Sequence, residues 1–269
     1  MNINKPVFRS IIGLFILAVY LTACDNSFDP TDRDNGTYSV HGMLDLMEES
    51  NYIRVRNMNA PFTLEATEDL EATVTLQNLE SGEITQLQSF VREYRGVYLH
   101  TFSYDEKAIP DTGYLLTVEG SDGFQTQLET VTPTHPEPQF IREDDGCTTP
   151  VNIVLDPMNG GTLTMRFGTE LDTEDEDGMW GRIYTFGPSI YENSVSFTIT
   201  PLITAQGIEA SFGTCFSLLP DGNLYLAIAH YSPGFYEELN AEVTDILETT
   251  RRFGGFYADT LAIPVDPSR

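Results

Sequence analysis

The stretch GYLLTVEGSDGFQTQLETVTP, residues 113–133, admits few structures. Tyr114, Leu116 and Val118 fall on one side of an extended chain, and Phe124, Thr126, Leu128 and Thr130 return along another. A period of two cannot lay an apolar stripe along a helix, but it gives a strand one buried and one wet face. Asp122-Gly123 between the two runs supplies the turn, so the stretch predicts a β-hairpin.

The same alternation recurs upstream. TYSVHGMLDLM places Tyr38, Val40, Gly42, Leu44 and Leu46 on one face, and NYIRVRNM sets Ile53 and Val55 against Arg54 and Arg56, with Tyr52 apart. LEATVTLQNL offers Ala72, Val74 and Leu76; GVYLHTF offers Tyr98, His100 and Phe102. Residues 37–132 thus predict about seven short strands, enough for an immunoglobulin-like or transthyretin-like sandwich. PTHPEP, residues 133–138, carries three prolines. Proline has no amide hydrogen to give a ladder, so this segment is the expected domain boundary.

Residues 139–269 predict a second β-rich domain. VNIVLDP, GGTLTMRFG, WGRIYTFG, SVSFTITPLI, IEASFGTCFSLL and NLYLAIAHYS all read as strands. One helix is expected, from Pro233 to about Thr250. Ser232 suits its N-cap and Pro233 its first position. Tyr236, Leu239, Val243, Ile246 and Leu247 recur at helical spacing, which makes a packing lid a better expectation than a partner-binding element. Arg251 and Arg252 would favour its carboxyl end, Gly254-Gly255 would end it, and FYADTLAIPV would be the last strand. The fold class expected is therefore mostly β, two β units with a single C-terminal helix.

The amino terminus has the pattern of an address. Lys5 and Arg9 precede an apolar run, Ile11–Leu21. As a helix that run rises about 1.5 Å per residue, too short to span a bilayer. It fits the n- and h-regions of an export signal over residues 1–23. Leu21-Thr22-Ala23-Cys24 resembles the lipobox of bacterial lipoproteins: an aliphatic residue, two small ones, then the cysteine that takes the acyl group. The alternative is an ordinary signal peptide with a coincidental cysteine. On the lipobox reading Cys24 begins the mature chain and 24–36 is an acidic tether. One acyl chain holds a protein marginally and two or three hold it stably, since each buried methylene contributes about 0.8 kcal/mol.

Charge excludes other partners. The chain has 14 basic and 41 acidic residues, a formal charge of −27. Residues 1–23 hold two of the bases and none of the acids, so the remainder is more acidic still. Such a field repels phosphate backbones and anionic lipid, which argues against nucleic acid and leaves the N-terminal lipid as the membrane contact.

Cys147 and Cys215 remain. Outside the cytoplasm an even pair predicts a disulfide, with two buried thiols as the alternative. Zinc is disfavoured, because two cysteines and four scattered histidines lack ligand spacing. The run ELDTEDEDG, residues 170–178, invites calcium through Glu170, Asp172, Glu174 and Asp175. Taking Gly178 as the sixth loop position makes Tyr184 the twelfth, where a glutamate is needed, so a solvated hairpin loop is the default. No other cofactor is implied.

No catalytic constellation stands out. His100 and His230 sit in strand patterns and His135 in the proline segment; HExxH, GxSxG and phosphate-loop motifs are absent. Trp180 reads as a core aromatic before it reads as a sugar platform.

The lipobox, YSVHGMLDL, the 113–133 hairpin, LYLAIAHYSPGFYEEL and RRFGGFYADTLAIPV together resemble a family of Bacteroidota outer-membrane lipoproteins whose domain has no assigned function. The resemblance runs in order through most of residues 24–269. It implies an outer-membrane lipoprotein, on the periplasmic or surface face, often encoded beside a TonB-dependent receptor. It carries over no catalytic residue. The expected role is non-enzymatic, a ligand-binding or receptor-accessory lipoprotein. The alternatives are an anchored glycan hydrolase using paired carboxylates and a structural or adhesive surface protein.

Overall fold

The computed structural model describes residues 38–58, 70–94, 97–121, 123–169, 180–186, 194–209, 212–235 and 251–268. In chain order the first strands are β1 (Tyr38–Asp45), β2 (Asn51–Asn57), β3 (Ala72–Asn78), β4 (Ile84–Gln86), β5 (Gln88–Tyr94), β6 (Val97–Tyr104), β7 (Gly113–Gly120) and β8 (Gln125–Val131). Then follow β9 (Glu137–Ile141), β10 (Val151–Asp156), β11 (Thr162–Gly168), β12 (Trp180–Phe186) and β13 (Val195–Ile199). Two short helices, α1 (Pro201–Ile208) and α2 (Cys215–Leu218), precede β14 (Asn223–Tyr231) and β15 (Arg251–Pro264). The fold is mostly β and sandwich-like.

The period-two stretches form strands with the expected inward faces. Val40 and Leu44 of β1, Ile53 and Val55 of β2, Val74 and Leu76 of β3, and Tyr114, Leu116 and Val118 of β7 are all buried, while Arg54 and Tyr52 are exposed. The 113–133 hairpin closes at Gly123, which takes φ +81°, and the Gly120 amide donates to the Phe124 carbonyl at 2.9 Å. A left-handed φ costs an L-residue with a Cβ roughly 1 kcal/mol or more, hence the glycine.

The described strands form three sheets. The largest has the order β12-β11-β14-β15-β1-β2-β6-β5; the others are β13-β10-β9 and β4-β3-β7-β8. Within the largest every pairing is antiparallel except β1 with β15, which is parallel. β15 serves two neighbours along its length. Arg251–Phe256 pair with β1, and Phe256–Pro264 pair with β14.

The apolar side chains gather in two clusters. One joins β1, β2 and β6 to β3 and β7 and takes Phe253 and Tyr257 from β15. The other joins β11 and β14 to β10, β13, α1 and α2 and takes Ile263 from β15, with Val265 just beyond. The segment 133–138 lies between the two groups in sequence, yet the eight-stranded sheet serves both, and residues 36–269 form one compact unit. The β-rich region 37–132 is completed by a strand from the other end of the chain. Pro138 itself stands in β9, opposite Leu155. β9 is an edge strand, where a missing amide hydrogen is tolerated.

Three local expectations need correction. The strand expected through SVSFTITPLI stops at Ile199, because Pro201 opens α1, where its fixed φ and missing N–H suit the first turn. The strand expected through IEASFGTCFSLL gives way to α2. Arg251, Arg252, Gly254 and Gly255 do not end a helix but lie inside β15. The remainder of the expected helix, 236–250, lies outside the described residues.

Candidate functional site

Cys24, the leader and the tether lie outside the described residues, as do Glu170, Asp172, Glu174 and Asp175. Among the described residues no group of three or more His, Cys, Asp or Glu side chains is placed to hold a metal. Cys147 and Cys215 are joined in a disulfide that closes a sequence separation of 68 residues, with Cα atoms 6.3 Å apart. Trp180 opens β12, at the edge of the large sheet.

The histidines fall into different environments. His230, on β14, is fully buried. Its Nδ1 is 3.1 Å from the Thr134 carbonyl oxygen and its Nε2 is 2.6 Å from that of Gly160. Burial depresses its pKa below the ordinary value, against the pull of the two carbonyls, which favour the protonated ring. It pins the proline segment and the loop before β11 to the sheet, which is a structural role. The His135 ring lies against Tyr257, centroids 4.5 Å apart. Tyr257 is held above the usual phenol pKa by burial and by the neighbouring Asp259.

Ser232, expected at a helix N-cap, ties neighbouring strands through its hydroxyl. Its hydroxyl donates to the Val131 carbonyl at 2.6 Å and accepts the Gly255 amide hydrogen at 2.6 Å. Residues from β8, from the end of β14 and from β15 are thereby tied at one oxygen.

His41, on β1, belongs to a different arrangement. The alternation that buries one face of the large sheet against the two smaller sheets sends the other side chains to the opposite face. Across β2, β1 and β15 the register there reads Arg54, His41, Arg252 in one row, each directly opposite the next. Directly opposed residues share a face. Strands stand about 4.8 Å apart, which puts the two arginine backbones about 10 Å from each other with the imidazole between them. Next along the row is Thr101 of β6, then Phe90 of β5. Burial, then Arg54, then Arg252, push the His41 pKa below its ordinary value.

Arg56, Arg92 and Arg166 occupy the same face by register. The Arg92 guanidinium sits 5.4 Å over the Tyr52 ring, whose edge meets Phe90 with centroids 6.0 Å apart. Further along, over β11, β14 and β15, this face sinks into an open depression of about 640 Å³. Its lining includes Thr164, Arg166, Ala227, Ala229, Tyr231 and Ala258.

Sequence reasoning placed Arg54 and Arg56 correctly as outward positions of β2 but gave them no task, and it set Arg252 at a helix end. The available signal was the concentration of arginine on single strand faces in a chain with so few cations.

No family model matches the chain, and no curated protein matches it. Among solved structures it is similar to the pullulanase of Anoxybacillus sp. LM18-11, at 8% identity and a TM-score of 0.26, over 71% of this chain and 24% of that one. It is also similar to the chicken CNTN1 FN1-FN3 domains, at 10% identity and a TM-score of 0.25, over 83% of this chain and 62% of that one. This chain covers less than two thirds of either.

Proposed function

We propose that the protein is a lipoprotein held at the outer membrane through acyl chains on Cys24, with a non-enzymatic role in binding a ligand beside a TonB-dependent receptor. The observation that carries this reading is the Cys147–Cys215 disulfide. Disulfides persist in oxidising compartments, which agrees with an export signal ahead of Cys24. The sheet face bearing Arg54, His41 and Arg252 supplies a surface for binding, and no smaller sheet among the described residues packs on it.

The test has two arms. Cells grown with labelled palmitate should incorporate label into the wild-type protein and not into Cys24→Ser, and only the wild type should sediment with outer membranes. A TonB-dependent receptor encoded beside the gene should co-purify with the wild-type protein after mild detergent extraction. Unlabelled wild-type protein in the soluble fraction would overturn the anchor; a receptor that never co-purifies would overturn the accessory role.

A further inference from the structure

Cations are scarce in this chain and acids abundant, 14 against 41. An arginine placed without constraint on such a surface would have carboxylates for neighbours. The row on β2, β1 and β15 is the reverse. Arg54 faces His41 and Thr101, and Arg252 faces His41. Among the described residues the other same-face positions around them, Ser39, Met43, Tyr52, Arg56, Ser103 and Gly254, include no acid. The carboxylate that shares this face on β1 is Asp45, four residues beyond His41, and it accepts the Met47 amide hydrogen at 2.9 Å. Among the described residues the buried Arg252 Nε has no hydrogen-bond partner. A buried donor without an acceptor costs about 1–3 kcal/mol.

We propose that Arg54, His41 and Arg252 form a binding site for an oxyanion, the carboxylate or phosphate group of a small ligand. Guanidinium forks bind both groups through paired charge-assisted hydrogen bonds. The imidazole between them adds a third donor, and a bound anion supplies the acceptor that Arg252 Nε lacks. An anion there also offsets the two like charges that flank the imidazole. This inference names the ligand class for the binding half of the reading above. It does not need the lipid, so loss of palmitate incorporation would refute the anchor and leave the site standing.

The experiment is calorimetric titration of the full chain, in non-ionic detergent at fixed ionic strength, with inorganic phosphate and separately with malonate. Saturable binding is expected with at least one probe, and the stronger probe identifies the group. Arg54→Gln and Arg252→Gln should each weaken binding about tenfold or more. Arg166→Gln removes the same charge from the same face outside the row and should change affinity less than about twofold. The His41 ring resonances should move with the same saturation curve. Arg54 is exposed, so its variant tests the site even if the Arg252 variant does not fold. No saturable binding of either probe, or an equal loss in Arg166→Gln, would overturn the proposal; the second result would mean a diffuse surface field in place of a site.

Discussion

The Ser232 hydroxyl oxygen lies 2.6 Å from the Gly255 amide nitrogen and accepts its hydrogen, while donating its own to Val131. Ser232 and Gly255 are both buried, so the Gly255 amide has no water as a substitute. Ser232→Ala should therefore cost about 1–3 kcal/mol for the amide left unsatisfied. Urea unfolding of the two proteins measures it; an unchanged midpoint would mean that the contact contributes nothing.

Gly254 is a packing requirement rather than a helix stop. A Cβ at 254 would collide with the Phe235 ring, and one at 255 would meet Pro133 and Ser232. Gly254→Ala should destabilise by about 1–3 kcal/mol through overpacking. Adding Phe235→Leu, which makes room, should lower the thermal midpoint by less than the two single losses combined.

His230 makes stability depend on pH. Its folded pKa lies below the ordinary 6.5 because burial disfavours the cation. The unfolded chain then binds the proton more readily than the folded one. The histidine's contribution is intact above about pH 6.5 and is lost as pH falls from there toward the folded value. Between pH 7 and 5 the wild type should lose up to about 1.4 kcal/mol per pH unit more than His230→Gln, compared by urea unfolding at each pH. Parallel slopes for the two proteins would contradict this.

The disulfide closes a long loop, and the chain-entropy estimate for 68 residues is about 4 kcal/mol. Replacing Cys147 and Cys215 together by alanine should lower stability by up to that amount. Adding a reductant should bring the wild type toward the variant and leave the variant unmoved.

The strands were legible wherever one face is packed and the other wet, as in β1, β2, β3 and β7, because the side-chain period reports that asymmetry directly. What failed were places where local signals have two uses. Arg-Arg followed by Gly-Gly ends helices, but the same glycines suit a strand crowded by Phe235 and Pro133. Pro201 punctuates a strand and also opens a helix, and only the packing against β11 and β12 decides. The Arg54–His41–Arg252 row was not legible, because it depends on a parallel pairing between residues some two hundred positions apart. Cys24 stands at the other extreme: its assignment rests on the sequence alone.

The most direct measurement of the central claim is mass spectrometry of the N-terminal peptide from protein isolated from its native membranes. The account predicts that the peptide begins at Cys24 and carries a diacylglyceryl group on the sulfur. An unmodified thiol at Cys24, or a chain that retains residues 1–23, would contradict it.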